Sequence, residues 1–217
     1  MNYFQMSINK NSESLSHELA DDTKLLADSL GGPRGMLESG LPAIIFVITY
    51  AATKNDLAIS IYGALTSGLV LAAIRLVQKQ KLTQVIAGLI GLAFSAWLAT
   101  KSGKSENFFL PGILTNVGYL AACVISLVVN KPLLGYVIES LKGSNSNWTK
   151  DRYLIRKYRA LTFLWAAVFG LRVLIMTPLY LANNTVALGF FKLGLGWPLF
   201  ALAAYATYAI STRKTNP

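Results

Sequence analysis

Six stretches of this chain are apolar for about the length that a helix needs to cross a lipid bilayer, and this limits its fold more than any other feature. A helix rises about 1.5 Å per residue, so crossing ~30 Å of hydrocarbon takes about 20 residues. The stretches fall at 37–53, 56–77, 82–100, 109–129, 160–181 and 185–211. A backbone in lipid must satisfy its hydrogen bonds within its own segment, and runs this long do not suit barrel strands, so each is read as a helix. The expected fold is all-α: a polytopic transmembrane helix bundle of about six spans. The first run is the shortest, with thirteen uninterrupted small or apolar residues over Gly40–Ala52. It is either a tilted span or a segment that does not cross.

Composition agrees with sorting between water and hydrocarbon. Hydrophobic residues make up 53% of the 217, with a mean hydropathy of +0.46, more than one soluble core of this size buries. The surplus is expected to face lipid. Charged residues account for 14%, against roughly 25% in an average soluble domain. A net charge of +10 would suggest nucleic acid in a soluble protein, but here most Lys and Arg flank apolar runs, where they set topology. No nucleic-acid partner is expected. One cysteine, Cys123, and one histidine, His17, provide neither an intrachain disulfide nor a zinc ligand set, so no metal and no cofactor are expected.

The basic residues orient the bundle. With both termini in the cytoplasm, fifteen of the twenty Lys and Arg fall on the inner side, and Lys54, Lys101 and Lys104 on the outer. That asymmetry is a positive-inside signal. Residues 1–36 carry Glu13, Glu18, Asp21, Asp22 and Asp28 and have no apolar signal-peptide region. Residues 1–30 therefore read as a disordered cytoplasmic tail with a short helix over 16–30, separated by Gly31-Gly32-Pro33 from a membrane domain at 31–212, with a short basic tail at 213–217.

The longest loop, 131–159, opens with an amphipathic segment at 131–143 that reads as an interfacial helix on the inner leaflet. The basic stretch after Trp148 then lies over anionic lipid headgroups, or serves only to set topology.

Two features hint at internal organisation. Leu110-Pro111 through Tyr119 and Ala121 repeats Leu41-Pro42 through Tyr50 and Ala52 at a constant spacing, with three spans between the copies. Such a pattern fits a 3+3 inverted repeat, and chance similarity between apolar segments fits it as well. Asn116, Tyr119 and Cys123 recur at i, i+3 and i+7, on one face of the fourth span.

Arg172 lies midway along the fifth span and Lys192 inside the sixth, at a depth similar to that of Asn116 and Tyr119. A charge at the bilayer centre costs about 2.5–3.5 kcal/mol on insertion scales. No acidic residue falls deep inside a span, so the donors of Arg172 are left to carbonyls, Asn116, water or an anion. Two readings follow. In one, Arg172, Lys192, Asn116 and Tyr119 form a cationic pocket for an anionic headgroup or solute, bracketed by kinks at Pro178 and Pro198. In the other, Lys192 snorkels outward and Arg172 crosslinks helices. At the cytoplasmic mouth, Arg34 and Glu38 are spaced for an i, i+4 pair that caps the first span.

There is no Gly-x-Ser-x-Gly, no HExxH, no phosphate-cradling loop and no metal-binding carboxylate pair, so an enzyme is not expected. The glycines at 88, 91, 189, 194 and 196 read as sites of close helix packing.

The pieces Gly31-Gly32-Pro33-Arg34-Gly35, Glu38-Ser39, Phe108-Phe109-Leu110-Pro111-Gly112-Ile113-Leu114, Pro132-Leu133 and Leu171-Arg172 followed by Pro178-Leu179-Tyr180-Leu181-Ala182 occur together. In this order they resemble a bacterial family of multi-pass membrane proteins, domain of unknown function 3159, over about residues 31–212. More distantly, Leu41-Pro42 to Tyr50 and Lys131-Pro132-Leu133-Leu134 resemble the intracellular septation protein A family. Those resemblances imply the bacterial cytoplasmic (inner) membrane and a non-enzymatic role in cell envelope or division processes. Expected partners are membrane lipids and membrane proteins, including further copies of the chain. The alternative is a small transporter or lipid-handling protein that binds an anion at the intramembrane Arg and Lys.

Overall fold

The computed structural model describes residues 32–80, 82–142 and 148–212, with side chains described from Gly40 onward except at 141, 142, 197, 208, 211 and 212. The tails at 1–30 and 213–217 and the side chains of Arg34 and Glu38 lie outside the described residues. Among the described residues there are eight α-helices and two 3₁₀ turns. The helices are α1 (Gly32–Ala52), α2 (Leu57–Val77), α3 (Leu82–Ser102), α4 (Leu110–Val128), α5 (Leu133–Lys142), α6 (Arg152–Leu181), α7 (Thr185–Gly194) and α8 (Trp197–Thr212). The 3₁₀ turns are Ser105–Phe108 and Trp148–Lys150.

Five segments are long and apolar enough to cross a membrane: α2, α3, α4, α6 and Thr185–Thr207, which takes in α7 and most of α8. The apolar part of α1, Gly40–Ala52, is shorter. The large apolar side chains on the outside of the bundle, such as Phe190 at 72% exposure and Leu174 at 71%, suit lipid rather than water.

Polar groups in the connections start and stop the helices. The Asp56 side chain accepts from the Ile59 amide at 3.0 Å, and Asn184 from the Ala187 amide at 3.0 Å, each satisfying one otherwise orphaned N–H. The reversals after α1, α2, α4 and α6 are made by residues at positive φ: Lys54 and Asn55, Lys79, Asn130 and Asn183.

Three boundaries differ from the sequence expectation. The fifth span starts at Arg152 instead of 160, because the Asp151 carboxylate accepts from the amides of Tyr153 at 2.8 Å and Leu154 at 3.4 Å. The basic stretch is therefore the first two turns of α6, where a loop was expected. The segment expected as the sixth span is interrupted at Leu195 and Gly196. Finally, Pro42 lies inside α1, whereas Pro111 opens α4, so the two prolines of the suggested repeat occupy different positions in their helices.

The main core lies where α1, α2, α3, α4, α6 and α7 meet, around Phe46, which stacks on Phe108 with ring centroids 4.1 Å apart and the planes 4° from parallel. Ring stacking of this kind adds to the area buried. Close approach of the helices depends on two glycines. A Cβ at Gly68 would stand 2.2 Å from a Leu92 methyl, and one at Gly189 2.0 Å from a Val47 methyl.

A second cluster holds α5 against α6. Trp148, Tyr158 and Leu161 are buried there, with Leu134 and Ile138 of α5 packed on them. The Tyr158 hydroxyl donates to the buried Glu139 carboxylate. The Leu134 amide donates to Thr162 Oγ1 at 3.2 Å, and the Leu133 amide to Ser126 Oγ at 3.2 Å. The apolar face of the amphipathic segment thus packs largely on protein, while Tyr136 and Val137 stay exposed.

Candidate functional site

The break between α7 and α8 builds the site. Pro198 has no N–H, so the Gly194 carbonyl loses its i+4 backbone donor, and the chain tightens. The Gly196 amide donates to the Leu193 carbonyl at 3.1 Å, and the ladder resumes with the Phe200 amide to the Gly196 carbonyl at 3.1 Å. Only glycine fits at the break, because a Cβ at 196 would stand 2.6 Å from the Lys192 carbonyl oxygen.

Both cations carried within the apolar segments lie beside this break. The Arg172 guanidinium is 5.1 Å from the centre of the Phe200 ring, and its Nη2 is 3.8 Å from where a Cβ at Gly196 would be. Its Nε is buried and has no hydrogen-bond partner among the described residues. The Lys192 Nζ lies 5.2 Å from the centre of the Phe109 ring and 5.8 Å from that of Phe108, within cation–π range. The Lys192 side chain is half-buried. Among the described residues no carboxylate stands within 4.0 Å of either cation. Two like charges in a low-dielectric setting without a counter-ion form a site of strongly positive potential.

The ceiling of the site is the turn that follows α3. Residues Ser105, Glu106, Asn107, Phe108 and Phe109 are all buried, so this connection turns back into the bundle. Side-chain hydrogen bonds fix it: Ser105 Oγ to Thr185 Oγ1 at 2.6 Å, and the Tyr180 hydroxyl donating to Asn107 Oδ1 at 2.5 Å. The two ring faces under Lys192 are thereby held in place.

Below the turn, a cavity of about 320 Å³ runs between α1, α2, α3 and α4, with Lys192 in its wall at one end and Arg75 at the other. Arg75 has a partner within the protein. Gly88, Gly91 and Gly112 line the cavity, and a Cβ at any of them would meet nothing within 4 Å. Gly88 and Gly91 are exposed and border open space, whereas the sequence reading took them as sites of close helix packing.

The structure brings together two of the four residues that the sequence reading grouped. Asn116 turns inward on its own helix, its Nδ2 donating to the Gly112 carbonyl at 2.6 Å. Tyr119 is 54% exposed and packs on Phe169 with ring centroids 5.2 Å apart. Cys123, one turn further on, is buried. The sequence reading missed the buried 105–109 turn and the cavity. The only sequence signal for the turn is the adjacent pair Phe108-Phe109 before Pro111, which reads equally well as the start of a span. Among the described residues no group of three His, Cys, Asp or Glu is placed to hold a metal ion.

No curated protein matches the chain, and no solved structure does. Neither comparison carries the resemblance to septation protein A. The family profile described as "Protein of unknown function (DUF3159)" matches residues 30–217, and the chain belongs to that family.

Proposed function

We propose that this chain is a multi-pass protein of the bacterial cytoplasmic membrane that takes an anionic ligand into the helix bundle, as a small transporter or lipid-handling protein without catalytic activity of its own. One observation carries the reading. Lys192 lies in the wall of a cavity, beside Arg172, with neither hydrogen bond nor carboxylate for either cation among the described residues. A lone cation within a membrane domain is costly to keep, and function is the usual reason it is kept. The break at Leu195 and Gly196 supports it, since interrupted spans recur where transporters hold charged ligands. A role in envelope or division processes through protein partners draws on resemblance alone.

The test is native mass spectrometry of protein extracted with its lipids, comparing wild type with Lys192→Leu and Arg172→Leu. A stoichiometric anionic adduct on the wild type, lost in both variants while helix content is retained, supports the reading. Bare protein, or the same adducts in all three, makes both cations structural.

A further inference from the structure

The walls of the cavity identify the kind of anion. We infer that the ligand is a single-chain anionic amphiphile, with a compact carboxylate or phosphate headgroup at Lys192 and an apolar tail along the glycine-lined face of α3; this rests on the anion-binding reading above. Of the two cations lining the cavity, Arg75 has a partner within the protein, whereas Lys192 has neither hydrogen bond nor carboxylate among the described residues, and it stands at one end. From there the lining of α3 extends from Ser95 to Val85, roughly 15 Å along a helix axis.

Over that length the wall offers almost nothing to a hydrated anion. The two hydroxyls that line it are turned back onto their own helices, Ser95 Oγ donating to the Gly91 carbonyl at 2.9 Å and Thr115 Oγ1 to the Pro111 carbonyl at 2.8 Å. Every other lining residue between Lys192 and Arg75 is apolar or glycine. A wall without free donors rejects a polar solute and accepts methylenes. A volume of about 320 Å³ is at the small end for ligand pockets; it suits one narrow chain. The open space at Gly88 and Gly91 is the room such a tail needs.

The test uses a twelve-carbon carboxylate bearing a diazirine near its methyl end, and the matching alcohol, photolysed in phosphocholine liposomes that hold the full-length protein. Crosslinks are mapped by mass spectrometry. The expected result is carboxylate labelling on the cavity side of α3 and α2, weaker by about tenfold or more in Lys192→Leu and equally weak in Gly88→Leu and Gly91→Leu. Leucine at 88 or 91 meets no protein atom at its Cβ and favours the helix, so these variants fold with the tail site filled. Competition by unlabelled dodecanoate or dodecyl phosphate tells the two headgroups apart. Equal labelling by acid and alcohol, confined to outward-facing residues, overturns the inference. So does stabilisation by inorganic phosphate that depends on Lys192 and persists in Gly88→Leu, an outcome that keeps the anion site and removes the tail. If neither probe nor phosphate shows any dependence on Lys192, the anion-binding reading fails too.

Discussion

The Lys192 ammonium stands 5.2 Å from the centre of the Phe109 ring, so a charge from the last span rests on an aromatic face delivered by the connection after α3. Removing that charge is expected to separate stability from binding. In delipidated protein, Lys192→Met relieves a half-buried cation that has no counter-ion among the described residues, and should raise the unfolding free energy by about 1–2 kcal/mol. Thermal unfolding in detergent checks this; a fall in midpoint would show that the contacts of Lys192 with Phe108 and Phe109 outweigh its desolvation.

Glycines within apolar helices should respond in opposite ways. Gly189→Ala drives a methyl into Val47, at 2.0 Å before any adjustment, and should cost about 1–3 kcal/mol as overpacking. Gly88→Ala meets open space and should gain about 0.5–1 kcal/mol, because alanine is the better helix former. Unfolding midpoints of the two variants measured side by side would decide it.

The break in the last span depends on the residue at 196. Gly196→Ala places a methyl 2.6 Å from the Lys192 carbonyl oxygen, and the backbone must shift to receive it. A loss of about 1–3 kcal/mol is expected, together with a change in any anion-dependent stabilisation, since the shift moves the backbone of Lys192 itself. Gly194→Ala, two residues earlier, meets nothing within 4 Å and serves as the control.

Loss of the Tyr158 hydroxyl should loosen α5. In Tyr158→Phe the buried Glu139 carboxylate loses a donor, which should cost about 1–3 kcal/mol. Hydrogen exchange should rise across Leu133–Lys142 and leave α2 and α3 unchanged. Uniform protection across the protein would show that α5 is held by Leu134, Ile138 and its backbone contacts alone.

Orientation is open to direct labelling. In a Cys123→Ala background, a membrane-impermeant maleimide should label Lys104→Cys on intact cells, and label Lys150→Cys only after lysis. The reverse pattern would invert the topology.

Much of the fold was legible in the sequence because its causes are local. Hydrocarbon selects runs of about 20 apolar residues and the backbone in them must be helical, so the positions of α2, α3 and α4 follow from the run lengths. Arg172 and Lys192 stood out for the same reason, as charges within those runs. Boundaries set by a single side chain were less visible: Asp151 extends α6 through the basic stretch by capping two amides, which hydropathy does not register.

What only the tertiary structure decided depends on distances between residues far apart in the chain. Gly88 and Gly189 are alike as letters, yet one borders a cavity and the other receives Val47. Asn116 shares a predicted depth with Lys192, yet its amide donates to the Gly112 carbonyl on its own helix. The 105–109 turn is buried because Thr185 and Tyr180 hold it there from 80 and 73 residues away. Sequence by itself determined which segments are helices and which charges they carry into the apolar layer. Packing decided which of those charges lack a partner and where an opening remains between the helices, because both depend on side chains that meet only after the bundle has assembled.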